Sequence, residues 1–502
     1  MNFIDNDLLS IQEARILAEN AYQIQPDLAQ FSQEKLDSIV EAMADAVEPH
    51  IQELAILSAS ETDFGNWRDK YAKNQFVCGY LREQLRGQRF VGVISEDSAK
   101  GMVDIGVPMG VIAALCPATS PVSTTIYKAL IAVKSGNAII FSPHPRARNT
   151  IGKVLDIMIE AAENAGLPEG ALTYLHTVAE SGTIELMNHE NVSMIINTGV
   201  PGMLKAAQDS HKPLIYGGAG NGPVFIERTA DIPQAVKDII SSKTFDYGLL
   251  PAAEQSIVVD GAIADQVKAE FMKNHVWFMS GEESRQLARI MFEPDGSANK
   301  ELVGIRADKL AKKAGFKVPE GTVLLISEEK FASHQNPYTR EKLGPVMAYF
   351  IEDDWMHACE KCIELLLTER QGHTLVIHSK SEDVIREFAL KKPVGRVLVN
   401  TPATFGSMGA TTNLFPAMTL GSGTAGYGIT SDNVSPKNLI YVRKVGFGMR
   451  DMQTVDRDMF RRSSLPEQPE ITVEDMHHAE EVKTVQEVLR NIINDIEGLN
   501  DK

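Results

Sequence analysis

Between residues 7 and 60 apolar side chains recur at three- and four-residue steps: Leu8, Leu9, Ile11, Ala14, Leu17 and Ala18, then Leu36, Ile39, Val40 and Met43. One face of an α-helix repeats at that interval, so the pattern predicts two amphipathic helices. A hairpin-like stretch follows near 88–107. From about residue 110 the period changes. Short apolar runs, GVIAALCP, NAIIFSP and SMIINTG, alternate with helical stretches through 128–134 and around Ile157. Apolar strands alternating with helices predict a parallel sheet with crossover helices, the texture of a dinucleotide-binding domain. A second block begins near Thr244 and runs through EQSIVV, TVLLI, TLVIH and GRVLVN. The Gly-rich TLGSGTAGYGITSDNV before Leu439–Val442 predicts a return to an extended ribbon or flap.

These patterns divide the chain into a nucleotide-binding domain at 1–245, a second α/β domain at 246–424, a flap at 425–462, and a linker with terminal helix at 463–502. In that helix Thr472 and Asp475 read as a cap. Met476, Ala479, Val482, Val485, Val488, Leu489, Ile492, Ile493 and Ile496 form one long apolar face. Something must cover it: the chain's own subunit, a symmetry mate, or, through residues 472–499, a bacterial microcompartment shell or enzyme partner.

Composition narrows the class. At ~150 residues per domain, 502 residues suggest two or three domains. A content of 43% hydrophobic and 23% charged residues is that of a globular α/β protein. The net charge of −18, with Lys and Arg scattered, supplies no concentrated basic surface and argues against nucleic acid. No apolar run approaches the ~20 residues of a membrane span, and the start lacks a basic segment followed by an apolar one. The expected location is the cytoplasm, with the lumen of a microcompartment as the tail's alternative. Four cysteines make no disulfide framework. Cys359 and Cys362 lie in MHACEKCIELLL, a predicted helix without a partner pair at metal spacing, and read as packed thiols. No metal site is expected.

The segments PMGVIAALCPATSPVSTTIYKALIAVKSGNAIIFSPHPRA, NTGVPGMLKAA, YGGAGNGPVFIERTADI, SKTFDYG and EKLGPVMAY follow one another in an informative order and spacing. With TLGSGTAGYG and NVSPKNLI beyond them, they resemble the CoA-acylating aldehyde dehydrogenases, in particular the aldehyde dehydrogenase half of bifunctional aldehyde–alcohol dehydrogenases. The likeness runs from residue 8 to 445. It implies the aldehyde dehydrogenase superfamily fold: a Rossmann-like nucleotide-binding domain, a second α/β catalytic domain and an oligomerisation flap, in a homo-oligomer. It also implies NAD as cofactor and CoA with a small aldehyde as substrates, giving acyl-CoA and NADH.

Residue by residue, the resemblance has one large departure. Pro251 stands where the family carries its nucleophilic cysteine. Proline cannot attack a carbonyl, and it also lacks the backbone N–H that commonly helps hold an oxyanion at that position. A second departure is Ser120, in the loop Pro117-Ala118-Thr119-Ser120-Pro121, where the family typically reads Asn before Pro. Pro117 and Thr119 belong to the cofactor cleft. Gly199 and Gly202, in Thr198-Gly199-Val200-Pro201-Gly202, end a strand and open a helix, so backbone N–H groups would face pyrophosphate. Val200 replaces a second glycine there. His144 and Pro145 lie along the adenosine ribose by resemblance. Glu341 matches the glutamate that binds the nicotinamide ribose hydroxyls, and His373 a position near the active site. Gly218 and Gly220 sit in GAGN, near which hydrolytic relatives place a glutamate base. None is present, so surviving chemistry would yield acyl-CoA rather than acid. Cys116 is the alternative thiol, but no adjacent Lys or His marks it as activated, and it reads as a buried strand-end residue.

Three functions follow. One is an impaired or inactive homologue that binds nucleotide or CoA and acts in assembly or regulation. The second is an active acylating oxidoreductase with another nucleophile, or with CoA itself forming the thiohemiacetal. The third is a microcompartment scaffold.

Overall fold

A computed structural model of the chain describes residues 5–294, 296–369, 373–461 and 483–493. The amino-terminal region holds three main helices where the periodicity predicted two: α1 (Asn6–Leu28), α2 (Gln33–Val47) and α3 (Ile51–Thr62). Asp5 accepts from the Asp7 and Leu8 N–H groups to cap α1, and Ser32 caps α2. α4 (Trp67–Gln75) and the short α5 (Arg82–Leu85) follow.

The five-stranded sheet contains β3 (Val111–Leu115), β4 (Ile139–Ser142), β5 (Leu172–Tyr174), β6 (Val192–Thr198) and β7 (Leu214–Gly217). Its order is β5-β4-β3-β6-β7 and every pair is parallel. Its crossovers carry α6 (Pro121–Lys134), α7 (Arg148–Asn164), α8 (Glu180–Asn188) and the short α9 (Leu204–Asp209). Strand order reverses between β3 and β6. In parallel α/β sheets the crevice at such a reversal, beyond the strands' carboxyl ends, is where ligands bind.

α1 packs against α8, and it does so through small residues. It buries Ser10, Ala14, Ala18 and Ala21 and exposes Leu8 and Leu9, so its inward stripe is rotated from the apolar one expected. The reason is close approach: a Cβ on Gly182 would lie 1.9 Å from Ser10 Oγ. Larger side chains would separate the helices.

The second sheet has seven parallel strands, β8 (Pro223–Ile226), β9 (Ser256–Asp260), β10 (Val276–Phe278), β11 (Leu324–Glu328), β12 (Val346–Glu352), β13 (Thr374–His378) and β14 (Arg396–Val399). Their order is β10-β11-β12-β9-β8-β13-β14. β8 thus joins this sheet from before the boundary read at 246, pairing with both β9 and β13. α10 (Ile232–Thr244) links β8 to the segment carrying Pro251. A third sheet combines β1 (Gly92–Asp97), β2 (Met102–Pro108) and β15 (Ile440–Gly446), the expected hairpin and returning ribbon.

The described residues fall into two compact units, one drawn from 1–96 and 104–444, the other from 97–103 and 445–502. In the second, the Phe447 N–H donates to Gly101 O at 2.8 Å. Residues 483–493 are helical, with Val485, Val488, Leu489, Ile492 and Ile493 exposed. The expected cap at Thr472 and Asp475, and the apolar positions Met476, Ala479, Val482 and Ile496, lie outside the described residues. Among those described, no helix is long and apolar enough to cross a membrane.

Candidate active site

Two cavities open at the ends of β3 and β6. The first, of about 530 Å³, is walled by Pro117, Thr119, Ser120, Gly199, Gly218, Pro251 and His373 among others. The second, a groove of about 690 Å³, is walled by Cys116, Ser142, His144, Pro145, Val200 and Gly202 among others. Residues singled out for reaction thus gather in the first, with Pro117, Thr119, Gly199 and Gly218 of the cofactor set. Glu341 and Gly220 line neither. The Gly220 N–H donates to Glu341 Oε1 at 2.7 Å, and Glu341 faces a largely apolar cavity of about 380 Å³ with Leu287, Met291 and Leu302.

Pro251 is built into a turn. The Ala253 N–H donates to Leu250 O at 3.0 Å, which places proline at the second turn position, where its fixed φ suits the backbone and its missing N–H is not needed. Gly220 presses on the same turn: a Cβ there would lie 1.6 Å from Pro251 O. Ahead of it Asp246, Tyr247 and Gly248 all have left-handed φ of 49°, 53° and 75°. For the two non-glycine residues that conformation costs about 1–2 kcal/mol each. Asp246 is held there because its N–H donates to Asp69 Oδ2 at 2.7 Å and its Oδ1 accepts from the Asn66 N–H at 2.8 Å.

The Asp246 carboxylate anchors a buried ion cluster. Lys73 Nζ lies 2.6 Å and Lys70 Nζ 3.1 Å from Oδ2, and all three side chains are almost wholly buried. Burial works against the Asp246 carboxylate, yet Lys73 and Lys70 hold its pKa below the ordinary value. Burial also draws Lys70 down to about 8, against the pull of Asp246. The cluster reaches the cavity wall: Lys73 donates to Ser120 Oγ at 2.7 Å and Lys70 to Thr119 O at 2.9 Å. Nothing in the sequence reading pointed to Lys70 or Lys73. Their one signal is that WRDKYAKNQ is a helix without an apolar stripe, which must bury something polar if it packs.

Gly199, in the wall of the first cavity, has φ 63°, and a Cβ there would stand 3.0 Å from Pro117 Cβ, so glycine is favoured. Gly202 is different: a Cβ there meets nothing within 4 Å. The stretch 198–202, expected to end a strand and open a helix, leads through a 3₁₀ turn over Pro201–Met203 into α9 at Leu204. Ser142 and Thr183 share a hydrogen bond at 2.7 Å, and His144 Nδ1 accepts from the Arg146 N–H at 3.1 Å.

A profile of the Aldehyde dehydrogenase family matches residues 8–286. The chain belongs to that family. It is 45% identical to a probable aldehyde dehydrogenase from Listeria monocytogenes EGD-e, with a TM-score of 0.87 over 90% of this chain and 100% of that one. An acetylating aldehyde dehydrogenase from Geobacillus thermoglucosidasius is 41% identical, with a TM-score of 0.86 over 89% and 99%. The bifunctional aldehyde-alcohol dehydrogenase of Escherichia coli (strain K12) is 37% identical over 465 residues, 91% of this chain and 52% of that protein. The chain spans about half the length of the aldehyde-alcohol dehydrogenases it matches. Within the aldehyde dehydrogenases it falls in the CoA-acylating branch, as its motifs implied.

For an aldehyde dehydrogenase, the state of the remaining candidate groups is informative. His373 is buried, and burial followed by the nearby Arg396 lowers its pKa to about 3. It is neutral near pH 7, with a single ring N–H, and its Nδ1 shares a hydrogen bond with Thr374 Oγ1 at 2.7 Å. Cys116 lines the groove and not the first cavity. The sequence offered it no adjacent Lys, but α6 brings Lys128 beside it; Lys128 donates to Leu115 O at 2.5 Å and Ile196 O at 3.1 Å. Burial nonetheless raises the Cys116 thiol. Cys359 and Cys362 are buried, with Lys392 donating to Cys359 Sγ.

Proposed function

We propose that this chain is a nucleotide- and CoA-binding member of the acylating branch in which acyl transfer through a protein thiol has been lost, and that it serves in assembly or regulation. One observation carries the reading. Pro251, which by motif resemblance stands at the family's nucleophile position, lines the first cavity, and among the described residues no cysteine lines it. A thiohemiacetal on the protein requires a thiolate in bonding reach of the aldehyde carbon. The alternative thiol, Cys116, has a raised pKa and lines the groove.

The groove supports nucleotide binding. It lies at the reversal of strand order, and Gly199 beside it, in the wall of the first cavity, leaves little room for a Cβ against Pro117. NAD is the nucleotide assigned, with Ser142, His144 and Pro145 along the ribose and Gly199 and Gly202 near the phosphates. Bound there, it would supply a hydride acceptor. The exposed apolar residues of helix 483–493 support a protein partner, a second copy of the chain or a microcompartment shell, with a location in the cytoplasm or the compartment lumen.

The test is NADH formation from acetaldehyde or propionaldehyde with CoA. It is expected to run at least about a hundredfold below a cysteine-bearing relative, because covalent catalysis is absent. Turnover comparable to that relative overturns the reading. Pro251→Cys is expected to raise the rate while leaving NADH affinity, read by calorimetry, unchanged. A second reading, in which CoA supplies the sulfur directly, is favoured by the hydroxyl that Ser120 keeps in the cavity wall. It predicts strict CoA dependence and no acyl-enzyme by mass spectrometry.

A further inference from the structure

Two thiols and an amine meet away from the first cavity and the groove. Cys359 and Cys362 stand three residues apart on the helix Trp355–Glu369, a spacing that puts both on one face, and Lys392 follows the helix Glu382–Leu390. Lys392 Nζ lies 2.5 Å from Cys359 Sγ and 3.7 Å from the centroid of the Phe388 ring. Among the described residues no carboxylate pairs with it. A buried lysine ordinarily finds a carboxylate or a set of carbonyl oxygens, as Lys73 and Lys128 do. Here a sulfur takes that place.

The separation is informative. A hydrogen bond from N–H to oxygen spans about 2.9 Å and sulfur is the larger atom, so 2.5 Å is too close for an N–H···S bond. A direct S–N bond would bring the two atoms nearer still. Two single bonds through one oxygen, N–O and O–S meeting at a bent angle, span the distance seen. The thiols also differ in access. Cys359 is 5% exposed and Lys392 9%, enough to admit a molecule as small as hydrogen peroxide, whereas Cys362 is 0% exposed. Burial raises the Cys362 thiol against the pull of Lys392. Oxidation favours the accessible sulfur, and that is Cys359.

We propose that Cys359 and Lys392 form a modification site at which peroxide oxidation joins Sγ to Nζ through one bridging oxygen. One hydrogen peroxide oxidises the Cys359 thiol to sulfenic acid and yields water. A second takes two electrons from the uncharged Lys392 amine as the N–O bond forms to the sulfenic oxygen; the sulfenic hydrogen and one amine hydrogen leave in two further waters. Sulfur and nitrogen thus lose two electrons each, one pair to each peroxide. The bridge fastens the helix Trp355–Glu369 to the segment between Glu382–Leu390 and β14, and a dithiol reductant reverses it. The site is independent of whether acyl transfer is lost.

The test treats the full chain, reduced and then freed of reductant, with hydrogen peroxide, and reads its tryptic peptides by tandem mass spectrometry. The expected product joins the peptide of Cys359 to that of Lys392, one oxygen heavier and two hydrogens lighter than the separate pair, and dithiothreitol releases it. Cys362→Ser is expected to keep the link, and Lys392→Met to lose it, with thermal melts confirming that each variant is folded. The wild-type result decides even where a variant does not fold. No linked peptide in the treated wild type, a Cys359–Cys362 disulfide in its place, or a Cys359–Lys392 link without the oxygen overturns the proposal.

Discussion

The groove and the first cavity lie at the ends of the same strands, yet they are assembled differently. The groove is local: Cys116, Ser142 and Gly202 each stand within a few residues of the strand that positions them. The cavity depends on partners far apart in the chain, Lys70 and Lys73 meeting Asp246 at separations of 176 and 173 residues. A wall built from strand ends tolerates exchange of single side chains. A wall propped by a buried ion cluster does not, because removing one ion leaves another without a counter-charge.

The largest break of this contrast is Asp246→Ala. It strands two buried ammonium groups and is expected to cost about 3–5 kcal/mol in urea unfolding. A loss below about 1 kcal/mol, the scale of an exposed pair, would erase the difference between the two regions. At the end of β6, where Gly199 walls the first cavity next to the groove's Val200, Gly199→Ala forces a Cβ onto left-handed backbone beside Pro117 and is expected to cost about 1–2 kcal/mol and to weaken NADH binding.

The two histidines sharpen the comparison by pH. His373, in the cavity, has a folded pKa near 3 against an ordinary 6.5, so the unfolded chain binds its proton first as pH falls. Stability is present above pH 6.5 and is lost toward pH 3, at up to about 1.4 kcal/mol per pH unit for one proton. His373→Gln is therefore expected to flatten the acid limb of a melting-temperature profile. His144→Gln, at the less buried groove residue, is expected to flatten it less. The smallest effect belongs to Gly202→Ala, which meets open space and is expected to change stability by no more than about 0.5 kcal/mol.

Much of the fold was legible because β3, β4 and most of β6 are buried outright and read as uninterrupted apolar runs. The inward face of α1 was not, since close packing on α8 selects small residues over apolar ones. Motif resemblance placed Pro251, Ser120 and His373 together, and the structure puts all three in one cavity wall. It did not foresee Glu341 bonded to the Gly220 amide, a contact 121 residues apart that no local pattern encodes. The lysines were invisible for the same reason: charged residues ordinarily signal a solvated face, and only the fold reveals that these are enclosed.

The turn at Leu250–Ala253 bears on how residue 251 could be exchanged. Proline at its second position limits the freedom of the denatured polypeptide, so Pro251→Cys would forfeit about 0.4–1 kcal/mol of stability. Pro251 thus restrains the very turn that walls the first cavity, and any other residue there would have to give up that restraint.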